Sequence, residues 1–281
     1  MTVLEAIQKS TEFLAKKGVE SPRLQTELLL AHQLKMPRMK LYLNFDRVLT
    51  APETDDLREL IKRRAAREPL QHITGSTNFC GHEIAVSRHA LVPRPETELL
   101  AELGWKFLLE RQTPNALDFG TGTGCIAIAI AAKCPSAKIA ALDISADALA
   151  LAKQNAAQNK VAERIEFLFG DGFAALKENV QFDLLISNPP YIASAEIATL
   201  EPEVKDFDPR GALDGGVDGL DFYRRLAAEA KPFLKPDGKL MIEFGDGQAN
   251  DIKKIFAAEK WIVEAVQEDY SHRARILIAR I

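Results

Sequence analysis

Along the first seventy residues apolar positions recur three and four apart, the spacing that lines one face of an α-helix. Leu4, Ile7 and Leu14 form one such stripe behind Thr2-Val-Leu-Glu5, where a hydroxyl and a carboxylate three residues apart can cap a helix start, and Gly18 marks the stop. Ser21-Pro22 opens a second helix with Leu24, Leu28 and Ala31 on its stripe, and Pro37 breaks it. Residues 39–43 suit a short third helix. Thr50-Ala-Pro-Glu53 repeats the capping signature ahead of Leu57, Leu60, Ile61 and Ala65. After residue 70 the period changes. Ile73, Phe79, Ile84 and Val86 fall in short strand-like runs around Cys80-Gly81-His82, which predicts a β-hairpin. The chain thus reads as a helical bundle over 1–70, a hairpin linker over 71–92 and a larger domain over 93–281.

From Ala116 onward short apolar runs alternate with helical patterns, the signature of a mostly parallel sheet covered on both faces. Strands are expected at 116–119, 138–142, 164–169, 182–187 and 239–244. Helices are expected after the first, at 146–158 and near 220–234. The runs 261–266 and 275–278 have no helix between them and should pair antiparallel. The fold class is α/β: a Rossmann-like sheet with a parallel core and an antiparallel terminal pair.

Composition narrows the partners. The 281 residues are 47% hydrophobic and 27% charged, with a net charge of −4, so no electrostatic footprint for a nucleic-acid backbone stands out. Cys80, Cys125 and Cys134 show no C-x-x-C spacing and read as reduced thiols of a cytoplasmic protein. His72, His82 and His89 share no metal-ligand spacing, and no apolar run approaches a membrane span. Lys62, Arg63, Arg64 and Arg67 near a helix end read most simply as a solvated face favoured by the helix dipole, and more sharply as a docking patch.

The chemistry gathers at strand ends. Gly120-Thr121-Gly122-Thr123-Gly124 follows the strand at 116–119 and Asp143 ends the next one, a relaxed dinucleotide fingerprint. Asp118 argues against NAD, because a carboxylate there repels a pyrophosphate and attracts an ammonium group. A cofactor with a cationic amino-acid end and a ribose fits both acids, which points to S-adenosylmethionine. The glycines let backbone approach it, Asp143 takes the ribose hydroxyls, and Asp171-Gly172-Phe173 borders the adenine. Asn188-Pro189-Pro190-Tyr191 ends the strand at 182–187. Two prolines cannot continue a ladder, so the corner is rigid or else an ordinary proline turn. Asn188 Oδ1 and the Pro189 carbonyl can each accept one hydrogen of a planar N–H2 group, with Tyr191 against its plane. Arg94, held between Pro93 and Pro95, is a further candidate ligand contact.

Glu68–Gly75, Leu91–Glu98, Asp118–Gly124, Asn188–Tyr191, Leu213–Leu220 and, more loosely, Asp269–Arg275 resemble the blocks of the HemK/PrmC family, the N5-glutamine methyltransferases of peptide chain release factors, in that family's order. The resemblance implies a class I methyltransferase domain behind a helical domain that docks the release factor. It implies that Asn188 and Pro189 bind the glutamine amide of a Gly-Gly-Gln motif, and that Gly120–Gly124, Asp143 and Gly172 bind S-adenosylmethionine. Asn-Pro-Pro-Tyr alone is shared with adenine-N6 and other amino-methylating enzymes, so a nucleic-acid base methyltransferase is the alternative. Gly172 stands where members carry a bulky residue, which leaves Phe173 as the expected adenine cover. Arg273 and Arg275 sit in the loosest block, without an assigned role.

Overall fold

Both capping boxes form. Thr2 and Glu5 close the start of α1 (Val3–Lys16), and Thr50 and Glu53 that of α4 (Ala51–Ala65), each hydroxyl and carboxylate taking the other residue's backbone N–H. Between them lie α2 (Pro22–Gln33) and α3 (Arg38–Tyr42), and α5 (Leu70–Thr74) follows. Ile7, Leu14, Leu29, Leu30, Leu41, Leu57 and Ile61 make their common core. The α2 stripe differs from the one expected. Leu24 is exposed, whereas Thr26, Glu27, Leu29 and Leu30 are buried. The reason is polar: Glu27 collects Arg23, Arg38 and the Tyr42 hydroxyl, and these hydrogen bonds outweigh the cost of its burial and hold its carboxyl below the usual range. Ile73 lies in α5 rather than in a strand.

The computed structural model describes residues 1–281 and divides into two compact units, residues 1–76 with 201–207, and residues 77–200 with 208–281. The hairpin is β1 (Ser76–Phe79) and β2 (His82–Ala85), turned at Cys80-Gly81 with φ of 51° and 84° at the two central residues. Then come α6 (Thr97–Leu109), β3 (Asn115–Phe119), α7 (Cys125–Lys133), β4 (Lys138–Asp143), α8 (Ala146–Gln158), β5 (Ile165–Phe169), β6 (Phe182–Ser187), α9 (Pro202–Lys205), α10 (Asp221–Glu229), β7 (Leu234–Glu243), α11 (Ala249–Ala258), β8 (Ile262–Glu268) and β9 (Ala274–Arg280).

The seven-stranded sheet runs β5-β4-β3-β6-β7-β9-β8; its parallel core from β5 to β7 and the antiparallel β8–β9 pair are as the sequence predicts, and the structure adds the strand order and the antiparallel β7–β9 pairing. Alternation is hidden in its apolar runs because both faces are covered. In β4, Ile139 and Ala141 join one core with Leu100 and Ile130, while Ala140 and Leu142 join the other with Tyr223 and Phe256. Gly104 lets α6 lie close on β6, since a Cβ there would stand 2.9 Å from Ile186 Cδ1. Between β7 and β8 lies a helix not expected above, α11, whose Ile252, Ile255 and Phe256 have helical spacing behind Gln248. No helix is long and apolar enough to cross a membrane.

The basic cluster ending α4 divides: Lys62 and Arg63 are exposed and pair along the surface with Glu59 and Glu68, as a solvated face should, whereas Arg64 and Arg67 do not. Arg64 is buried and gives one nitrogen to Glu203 at 2.6 Å and another to Gln25, and Arg67 reaches Glu203 and Glu201 at 2.6 Å. Burial alone would raise the Glu203 carboxyl, but hydrogen bonds from Arg67 and Arg64 outweigh it and hold it at about 2. The helical unit is therefore closed by seven residues from far down the chain.

Candidate active site

The order of strands reverses between β3 and β6, and ligands of open α/β sheets sit at the carboxyl ends of strands at such a point. Here β3 delivers Asp118, β4 Asp143, β5 the Gly170–Gly172 turn, and β6 Asn188. The loop from β3 to α7 takes positive φ at Gly120, Gly122 and Gly124 (75°, 55° and 80°). At Gly120 an added Cβ would meet nothing within 4 Å, so the backbone is open to a ligand. Gly124 serves packing: a Cβ there would lie 3.0 Å from Ala152 Cβ on α8. Asn155 of α8 fastens this loop to the hairpin, bonding both the Thr123 carbonyl and the Ala85 backbone.

Asp118 is fully buried. Its Oδ2 accepts from Thr121 Oγ1 at 2.6 Å and from the Ala127 amide at 3.2 Å, while Oδ1 has no partner. Burial pushes its carboxyl up to about 7, with the Asp143 charge adding to the rise. Asp143 accepts from the Gly122 amide at 2.8 Å and the Ser145 amide at 2.9 Å, which pins the glycine loop to the end of β4.

A cavity of ≈ 270 Å³ opens here. Of the residues the sequence singles out, Gly120, Thr121, Gly122, Thr123, Asp143, Asp171, Gly172, Asn188, Pro190 and Arg94 line it. Asp118 and Gly124 lie behind the loop, and Pro189 and Tyr191 are not in the wall. Phe173 is a correction. It is 4% exposed and packed against Phe119 and Phe233, with centroids 4.9 and 5.0 Å away, so its ring belongs to the core rather than to the cavity wall. The space over Gly172 is filled instead by Arg225 of α10, whose Cζ would lie 2.6 Å from a Cβ at 172. Asp171 holds that guanidinium, through Oδ1 at 2.5 Å and its carbonyl at 3.1 Å. Phe222, Arg225 and the 209–212 segment are wall residues the sequence reading missed. Only α10 carried a signal, a helix start facing the strand ends.

The Asn188 corner is rigidly framed. Ser187 Oγ donates to the Phe119 carbonyl at 2.6 Å, and Asn188 Nδ2 donates to Thr97 Oγ1 at 3.0 Å, which turns Oδ1 away from Thr97. Glycines in the 213–220 block let backbone pass backbone, since a Cβ on Gly215 would sit 2.9 Å from the Pro190 carbonyl. Gln248 Nε2 donates to the Tyr191 carbonyl at 2.9 Å. Burial pushes the Tyr191 phenol up. Arg94 pairs with buried Asp208 at 2.7 Å, which fixes the proline-arginine loop to the 208–212 segment. Arg275 shapes the C-terminal turn through Asp269 at 3.2 Å, and Arg273 stands 3.7 Å from Asp246. Neither lines the cavity.

An open glycine backbone, a buried acid with a free oxygen, and a second acid on the neighbouring strand suit a ligand carrying an ammonium group and vicinal hydroxyls. The donor set therefore fits S-adenosylmethionine.

Residues 5–75 match the PrmC N-terminal domain family, and residues 97–201 the methyltransferase small domain. The release factor glutamine methyltransferase of Geobacter sulfurreducens is 42% identical over 259 residues, 91% of this chain and 88% of its own length. That of Chlorobaculum tepidum is 38% identical over 275 residues, covering 95% and 93%, and that of Rhodospirillum rubrum 43% over 263 residues, covering 94% and 80%. Among solved structures, a methyltransferase from Pyrococcus furiosus superposes with a TM-score of 0.51 at 20% identity, over 71% of this chain and 89% of its own. The hMettl16 catalytic domain gives 0.55 at 17% identity, over 82% of each chain. At these identities the structures speak for the fold alone.

Proposed function

The chain belongs to the release factor glutamine methyltransferase family, and from that premise we propose the reaction it runs: transfer of a methyl group from S-adenosylmethionine to the side-chain amide nitrogen (N5) of the glutamine in the Gly-Gly-Gln motif of peptide chain release factors. S-adenosylhomocysteine is the product. The observation that carries this reading is the neutral, immobile acceptor at Asn188, whose amide nitrogen is engaged by Thr97 at 3.0 Å.

An amide nitrogen is a poor nucleophile because its lone pair is delocalised into the carbonyl. Asn188 Oδ1, in the cavity wall, accepts one of its hydrogens, and the carbonyl of Pro189, which lies just behind that wall, would take the other as the glutamine seats, which draws electron density toward nitrogen and fixes its plane. Asn rather than Asp suits a neutral substrate, and Tyr191 stiffens the corner from behind. When bound, S-adenosylmethionine supplies an activated methyl on its sulfonium. Gly120 and Gly122 offer it backbone, Asp118 and Asp143 its cationic and hydroxyl partners, and Arg225 with Asp171 and Gly172 the wall around its adenine. The proton lost from nitrogen passes to water.

Residues 1–76 with 201–207 would read the release factor, residues 77–200 with 208–281 would hold cofactor and glutamine, and the enzyme would work in the cytoplasm without a stable nucleic-acid partner. Incubation with methyl-labelled S-adenosylmethionine and either release factor or nucleic acid tests this. Label should enter release factor at the glutamine, and label in nucleic acid alone would return the base-methylating alternative.

A further inference from the structure

Glu243 ends β7 beside the corner. Its predecessor Ile242 pairs with Ser187, so Glu243 and Asn188 leave neighbouring strands side by side. It is 3% exposed, and no cation pairs with it. Arg275, the nearest positive charge, spends its guanidinium on Asp269 and the Phe244 carbonyl. Glu243 Oε2 makes no hydrogen bond, and Thr97 and Asn188, themselves bonded to each other at 3.0 Å, are the neutral side chains close enough to favour its charged form. A buried acid so sparsely satisfied costs stability. Its retention calls for another reason.

We propose that Glu243 is a positioning residue for methyl transfer: together with Thr97 it takes the N–H2 of Asn188 and so locks the Asn188 oxygen toward the substrate amide. The inference rests on the reading above. An asparagine amide is nearly symmetric in shape, and only its partners decide which end faces a ligand. Thr97 Oγ1 accepts from Asn188 Nδ2, so its own proton is free for Glu243, and the carboxylate repels an Asn188 oxygen turned inward. Donation into a carboxylate also polarises the amide and makes the outward oxygen a stronger acceptor. Protonated Glu243 loses this preference, because its O–H seeks an acceptor and accepts an inverted amide.

The groups around Glu243 are Glu96 before α6, Thr97 on α6, Asn188 and Tyr191 after β6, Tyr223 on α10 and Arg275 on β9. Burial pushes Glu243 up to about 7, with the Glu96 charge adding to it and Arg275 opposing. The Tyr191 and Tyr223 phenols are pushed higher still, away from neutrality. Asp118, also at about 7, belongs to the cofactor side, so its protonation should alter cofactor affinity rather than kcat.

The test is the kcat–pH profile of the full chain on release factor, for wild type, Glu243→Gln and Thr97→Val, with S-adenosylhomocysteine affinity and Tm measured alongside. Wild-type kcat should rise through about pH 7. Glu243→Gln, of equal size but able to present either end, should lower kcat roughly tenfold to a hundredfold, the scale of a misplaced reacting group. It should also flatten the acid limb, bind S-adenosylhomocysteine within about twofold of wild type, and show an undiminished Tm at pH 8. Thr97→Val should lower kcat at every pH. A Glu243→Gln enzyme with wild-type kcat, a persisting acid limb, or equal losses of kcat and cofactor affinity overturns the inference. A wild type that methylates no release factor overturns the reading above as well, whereas an active wild type with an unaltered variant overturns this inference alone.

Discussion

At Asp143 both carboxylate oxygens already serve the fold, and each keeps a lone pair for a hydroxyl. Asp143→Ala should therefore weaken S-adenosylhomocysteine binding by about 1–3 kcal/mol, measured by calorimetry, the usual loss for charge-assisted hydrogen bonds. Asn188→Ala should abolish methyl transfer with that affinity nearly intact, because Asn188 addresses substrate rather than ribose. Arg225→Ala should cost about 1 kcal/mol of cofactor affinity by the same calorimetry, the scale of a cation over an aromatic face. Buried acids give a pH signature. Glu243 lies at about 7 against an ordinary 4.5, so the folded state holds the proton more tightly than the unfolded chain. Its stabilising share is complete below pH 4.5 and is lost as pH rises to 7. Wild type should thus lose roughly 3 kcal/mol over that window relative to Glu243→Gln, read from denaturation midpoints. The corner itself was legible in the sequence, since two prolines after an apolar strand allow little else. Glu243 was not, because its role depends on which strands lie side by side.

Among the elements, α7 shows how tightly the cofactor loop is tied to packing. Gly124 combines a φ of 80° with a 3.0 Å approach to Ala152, so Gly124→Ala should cost about 1–3 kcal/mol through backbone strain and overpacking, seen as a lower Tm even without ligand. Parallel strands announce themselves as short, doubly buried apolar runs, and β3, β4, β5 and β6 appear within a residue or so of their expected bounds. The capping boxes of α1 and α4 were equally plain, being local. What local pattern could not show was the company a charge keeps. Glu27 and Arg64 look like surface residues in a helix, yet both are buried because partners distant in sequence satisfy them. Phe173 misleads for the mirror reason: an aromatic beside the cavity turns into the core when Phe119 and Phe233 stack on it.

For the molecule as a whole, every residue lining the cavity falls between His89 and Arg225 and outside the helical unit. A chain lacking residues 1–76 should keep cofactor affinity, measured on a folded sample, while its activity on intact release factor collapses for want of positioning surface. Full activity in that truncation would show that the helical unit does not read the substrate. Such a cut also strips Glu201 and Glu203 of the arginines they hold. The same clasp sets a timetable during synthesis. Arg64 leaves the ribosome early, yet Glu203 is made 139 positions later, a wait of roughly 7–28 s at ordinary elongation rates. The first-made unit is thus the one that cannot finish folding first, and until the α9 turn emerges its basic helix end stays open to whatever acidic surface the nascent chain encounters.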